Sequence, residues 1–139
     1  MSALLCGHAA SGASSPATCT AASEFQPRLC KSNLPSITSI RFSPAVAASG
    51  EARRECKGFR LSAAQVRRFF RAARTVDAND AHHTLDWSPC HVAGQLRLSD
   101  GRTAQWQISQ YQTGSMSIEG ETMSMSLYCP SCKFTPFRW

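Results

Sequence analysis

A chain of 139 residues with 42% apolar side chains can build one domain around a modest core, and is barely long enough for two. No stretch approaches the roughly eighteen apolar residues of a membrane-crossing helix. A Gly-rich phosphate loop, a His-Glu-x-x-His pair and a nucleophile elbow are all missing, which excludes the reaction classes that those motifs mark. The net charge of +6 is uneven: residues 1–75 hold eleven Lys/Arg against three Asp/Glu, and residues 76–139 hold four against six.

Residues 1–23 are rich in Ala, Ser, Thr and Gly and contain no Asp, Glu, Lys or Arg. They read as a disordered leader or tail, preceding a single small α+β domain over residues 24–139. A secretory signal needs a charged start and a longer apolar run than Ala3-Leu4-Leu5. The Ser- and Ala-rich, acid-poor composition up to about Gly50 supports organelle targeting as the competing reading.

Pro27, Pro35 and Pro44 interrupt residues 24–60, leaving a β-prone segment near 36–42, Ile37 to Phe42, as a candidate edge strand. A helix is expected over about Ser62 to Val76. Ser62 and Gln65 have capping-box spacing, and Val66, Phe69, Phe70 and Ala73 recur at helical intervals on one face. Arg67, Arg71 and Arg74 share another face, beside Arg68. A loop follows from Asp77 through Asp80, His82, His83 and Asp86 to Pro89.

From about residue 90 to 128 the apolar residues alternate by twos. Four strands of an antiparallel meander are expected, with Val92, Leu96, Leu98, Ala104, Trp106, Ile108, Met116, Ile118, Met123, Met125 and Leu127 facing inward. Asp100-Gly101, Tyr111 to Gly114 and Glu119 to Glu121 supply the turns. The 62–76 helix is the natural cover for the apolar face. The other face is nearly uncharged, with Ser, Thr and Gln side chains and Tyr128. The end, Phe134 to Trp139, either packs back on the core or serves as a partner-binding tail.

Seven cysteines in a chain of this size point to an oxidising compartment or a metal site. Setting aside Cys6 in the leader leaves six for three disulfides. A meander with four strands brings its two termini to the same end, so Cys90 is expected to bond to Cys129 or Cys132. The remaining member would pair with Cys56, and Cys19 with Cys30. The alternative is zinc held by Cys129 and Cys132, half of a zinc-ligand pattern, with Cys90 and His91 or with His82 and His83. Redox catalysis by Cys129-Pro130-Ser131-Cys132 is disfavoured because only seven residues, including Pro136, follow it, too few for the helix such motifs open. Cys90, His91 and Asp86 are adjacent in sequence, but adjacency is not catalytic geometry.

These features lead to the expectation of an exported, non-catalytic protein-binding domain without a cofactor, periplasmic or secreted, with organelle-targeted or cytoplasmic location as the alternatives. By analogy of class, it would be an inhibitor or immunity-type protein that neutralises a toxin or an envelope enzyme. Its contacts would come from Gln105, Gln107 and Tyr128 on the polar sheet face, from Asp77, Asp80 and Asp86 in the loop, or from Arg67, Arg71 and Arg74. The second hypothesis is a zinc-stabilised interaction or nucleic-acid module built on Cys129/Cys132 and the Arg-rich helix. The third is a structural envelope protein with no discrete ligand.

Overall fold

The period-two pattern and the helical stripe become two layers. The computed structural model describes residues 18–44 and 50–139. In chain order its elements are β1 (Leu29–Lys31), β2 (Ile37–Phe42), α1 (Glu51–Glu55), α2 (Ala63–Ala72), β3 (Arg74–Val76), α3 (Ala78–Thr84), β4 (His91–Leu98), β5 (Thr103–Ser109), β6 (Thr113–Ile118) and β7 (Met125–Tyr128). The strands form one seven-stranded antiparallel sheet in the order β1-β3-β7-β6-β5-β4-β2. The architecture is therefore α+β. The meander forms the centre of the sheet but is not the whole of it: β2 extends it beside β4, and β3 and β1 extend it beside β7.

Helix α2 starts as its capping box dictates. The Ser62 hydroxyl accepts from the Gln65 backbone N–H at 3.2 Å, and the Ser62 N–H donates to Gln65 Oε1 at 2.8 Å. It ends earlier than the expected Val76. Ala73 turns to ψ 144°, and Arg74–Val76 pair with β7 and β1 instead. Thr75 and Val76 are β-branched, and pairing on both sides gives this short segment partners for its backbone groups.

The inner face of the sheet meets α2. Val66, Phe69 and Phe70 are buried against Leu96, Leu98, Trp106, Ile108, Met116 and Leu127. Gly114 makes room for the α2 ring of Phe69, and Gly94 lets β2 pair closely with β4. A Cβ on Gly94 would collide with the Arg41 carbonyl oxygen, and one on Gly114 would lie 2.9 Å from the Phe69 ring. The C-terminal segment closes the core: Phe137 is buried, with its ring centroid 5.8 Å from those of both Phe59 and Phe69.

Other expectations are corrected. Met123 points to solvent, 81% exposed, because the chain leaves the sheet after Ile118 and β7 begins only at Met125. The expected loop after Asp77 contains α3, capped by Asp77 Oδ1, which accepts from Asn79 N–H at 2.9 Å and Asp80 N–H at 3.4 Å. Residues 18–20, assigned to the tail, run beside β1: Thr20 N–H donates to Leu29 O at 2.7 Å and Lys31 N–H to Thr18 O at 3.0 Å. Residues 1–17, with Cys6, lie outside the described residues.

Three disulfides join Cys19 to Cys30, Cys56 to Cys90, and Cys129 to Cys132. Cys90 does not bond to Cys129 or Cys132. Two strands separate β4 from β7, which puts them about 14 Å apart, beyond the ~7 Å Cα reach of a disulfide. Cys56 approaches Cys90 instead, from the chain just after α1, with Cα atoms 4.9 Å apart. The turn between β5 and β6 bridges the two sulfur sites by hydrogen bonds. Gln110 N–H donates to Cys90 O at 3.0 Å, and Cys129 N–H to Gln112 O at 2.9 Å. Buried Gln112 Nε2 donates to Cys132 O at 3.1 Å. The three bridges suggest an oxidising, extracellular environment. Among the described residues no helix is long and apolar enough to cross a membrane.

Candidate binding cleft

The polar residues of the meander stand in rows on its outer face. Gln105 lies between Gln95 and Ser117, and Gln107 between Ala93 and Ser115, which in turn faces Ser126. Gln105 and Gln107 are exposed. Helix α3 lies against β7, and residues 85–88 carry the chain from it back toward β4. Between this segment and the outer face lies a cleft of about 360 Å³, with Gln107, Ser109, Thr113, Ser115 and Ser126 on its sheet side and His82, Asp86 and Trp87 opposite.

The wall is held at both ends. Asp77 caps the start of α3. At the far end the Ser88 hydroxyl, buried, accepts from Cys90 N–H at 3.0 Å, and Cys90 is bonded to Cys56. Between these anchors Trp87 stands 81% exposed. On the sheet side the Ser109 and Thr113 hydroxyls bond to each other. Tyr128, half-buried, is opposite Thr113. Burial pushes its phenol above 10.0, and the Asp86 carboxylate adds to the rise. Neutral donors and acceptors thus line the sheet side of the cleft, with an indole at its lip.

The expected site residues divide. Gln107 and Asp86 line the cleft, Tyr128 stands close enough to sense Asp86, and Gln105 lies on the same face. Asp77 and Asp80 serve the start of α3. The arginines do not join them. Arg67 donates to the Ile37 carbonyl at 2.6 Å and to that of Thr38 at 3.5 Å, tying α2 to β2. Arg71 and Arg74 line a separate groove. Of the metal alternative, Cys90, Cys129 and Cys132 are in disulfides, and the His91 ring Nδ1 lies 3.2 Å from Pro89 O. Among the described residues no group of three or more His, Cys, Asp or Glu is placed to hold a metal ion. Both sulfurs of Cys129-Pro130-Ser131-Cys132 belong to buried residues in a turn, without the helix N-terminus that activates a redox thiol.

Trp87, Ser109, Thr113 and Ser126 are not among the residues singled out from the sequence, although the polar sheet face and the loop Asp77–Pro89 are. Ser109 and Ser126 follow from the alternating outer face, whereas Thr113 falls in an expected turn and instead opens β6. A lone Trp in a polar loop carries no periodic signal, although Trp is rare enough on surfaces to mark an anchor. Comparison with known proteins finds no matching family model, no similar curated protein and no similar solved structure.

Proposed function

We propose that this protein is an exported, non-catalytic binding domain that engages a partner protein through the cleft between α3 and the polar sheet face. The observation that carries this reading is Trp87: a large indole 81% exposed, beside a neutral hydrogen-bonding surface, on a segment anchored by the Cys56–Cys90 bridge. An exposed indole gains apolar burial when a partner covers it, and Trp is among the residues most enriched at interface hot spots. A segment already pinned by covalent and hydrogen bonds loses little freedom on binding. The neutral sheet face adds directional hydrogen bonds without the desolvation cost of buried charge. In its finer form, the partner is a toxin or envelope enzyme that this protein neutralises in the periplasm.

The test is affinity capture from the native envelope, with dissociation constants for the captured protein. Trp87→Ala is expected to weaken binding about thirtyfold or more, the size of a hot-spot loss. Gln107→Arg is expected to weaken it as well, and Met123→Ala, equally exposed but outside the cleft, to leave it unchanged. Equal binding by the wild type and Trp87→Ala sinks the reading.

A further inference from the structure

We infer that a second groove, where β1, the end of α2 and the Cys129–Cys132 turn meet, is a binding site for a tetrahedral oxyanion, a phosphate or sulfate group carried on a larger molecule. The groove has a volume of about 480 Å³; Lys31, Arg71 and Arg74 line it together with Ser32 and Ser131. Among the described residues no Asp or Glu lines it. The ion pairs found among the described residues join Arg102 to Asp100 and to Glu121, so none involves these three cations.

The fold makes this convergence. Antiparallel pairing of β1 with β3 sets Lys31 directly opposite Arg74. Like charges in such cross-strand pairs repel, and an anion between them converts the repulsion into attraction. The chain leaves α2 at Ala73 and enters β3 at Arg74, which brings Arg71 of the last helical turn to the same groove.

The arginines of this helix make the contrast. Arg67 is used in hydrogen bonds to β2, and Arg68 lies over the Phe134 ring at 4.1 Å. Arg71 is exposed, and among the described residues it makes neither kind of contact. The negative end of the helix dipole opposes an anion here, but it amounts to about half a charge against three full ones. Guanidinium groups offer paired N–H donors that match phosphate and sulfate oxygens; the Ser32 hydroxyl donates to the Ala73 carbonyl at 3.5 Å, so the three cations carry the site. The groove has room for more than one such ion, so a phosphate or sulfate ester can enter it by that group.

The proposal is tested by NMR titration of the full chain with inorganic phosphate and, separately, inorganic sulfate, at ionic strength held constant with chloride. Saturable shifts are expected at the amides of Lys31, Ser32 and Ser131, with midpoints in the millimolar range typical of exposed sites. Arg71→Gln and Lys31→Gln are each expected to weaken the midpoint at least fivefold, whereas Arg60→Gln, an exposed cation elsewhere, leaves it in place. Matching amide spectra away from the groove establish that each variant is folded. A tighter midpoint for phosphate assigns the site to phosphate esters, and a tighter one for sulfate to sulfate esters. Shifts that rise linearly without saturation, or a midpoint unchanged in Arg71→Gln, overturn the proposal. Since the groove does not share residues with the Trp87 cleft, failure here leaves the partner-binding test untouched.

Discussion

The same four strands present two unlike faces. On the inner face, Trp106, Ile108, Met116 and Leu127 are almost wholly withdrawn from water beneath α2 and the C-terminal aromatic segment. On the outer face, Gln107, Ser115 and Ser126 face α3 and the segment after it across a cleft of about 360 Å³, and Gln105 lies on the same face beyond it. Adjacent residues of one strand thus serve different ends. The inner residue supplies burial free energy, and the outer one stabilises the strand little while remaining available for contacts. The difference teaches where function has room: substitutions on the outer face can change binding without threatening the fold, and those on the inner face cannot.

That contrast is most easily broken in the core. Phe69→Ala and Trp106→Ala are each expected to cost about 3–5 kcal/mol in urea denaturation, because both rings are buried and α2 cannot collapse into the space they leave. Gln107→Ala on the opposite face should change stability by less than about 0.5 kcal/mol. Comparable losses on the two faces would show that the outer face also holds the fold together. The next largest effect belongs to the Cys56–Cys90 bridge, which closes a sequence separation of 34. Replacing both cysteines with Ala should lower stability by about 3–4 kcal/mol. Smaller again is Gly114→Ala. The added methyl would press on the Phe69 ring and cost about 1–3 kcal/mol, while Ser115→Ala, one residue on and facing outward, should be near neutral.

How much of this was legible in the sequence depends on the range of the contacts. The alternation from Val92 to Leu127, the Ser62–Gln65 capping box and the β-prone Ile37–Phe42 are local patterns, and each corresponds to an element of the fold. Strand β3 is not legible, because Ala73 and Val76 continue the helical spacing of α2 and three residues are too few to show a period. Helix α3 is short and polar, with no buried residue, so no apolar stripe announces it. The pairing of Cys56 with Cys90 and the meeting of Lys31 with Arg74 are set by how segments far apart in sequence come together, and no spacing rule carries that information. The cleft was half visible: its sheet side follows from the alternation, while its Trp87 wall depends on α3.

The wall and the sheet side can be tested against each other through a single proton. Burial keeps the Tyr128 phenol neutral above its ordinary 10.0, and the negative charge of Asp86 raises it further. The two causes separate by substitution. Asp86→Asn removes the charge and leaves the burial, so the phenol should move back toward 10.0 but not reach it. The titration is followed by NMR of ring-labelled tyrosine, with Tyr128→Phe to assign the resonance. The sign follows from linkage. A phenol raised in the folded state favours folding below 10.0, and this contribution disappears as the pH rises through the folded value. Alkaline unfolding of Asp86→Asn should accordingly begin at a slightly higher pH than that of the wild type. An unchanged Tyr128 titration in Asp86→Asn would mean that the α3 wall does not stand over β7, and the two sides of the cleft would then not belong to one site.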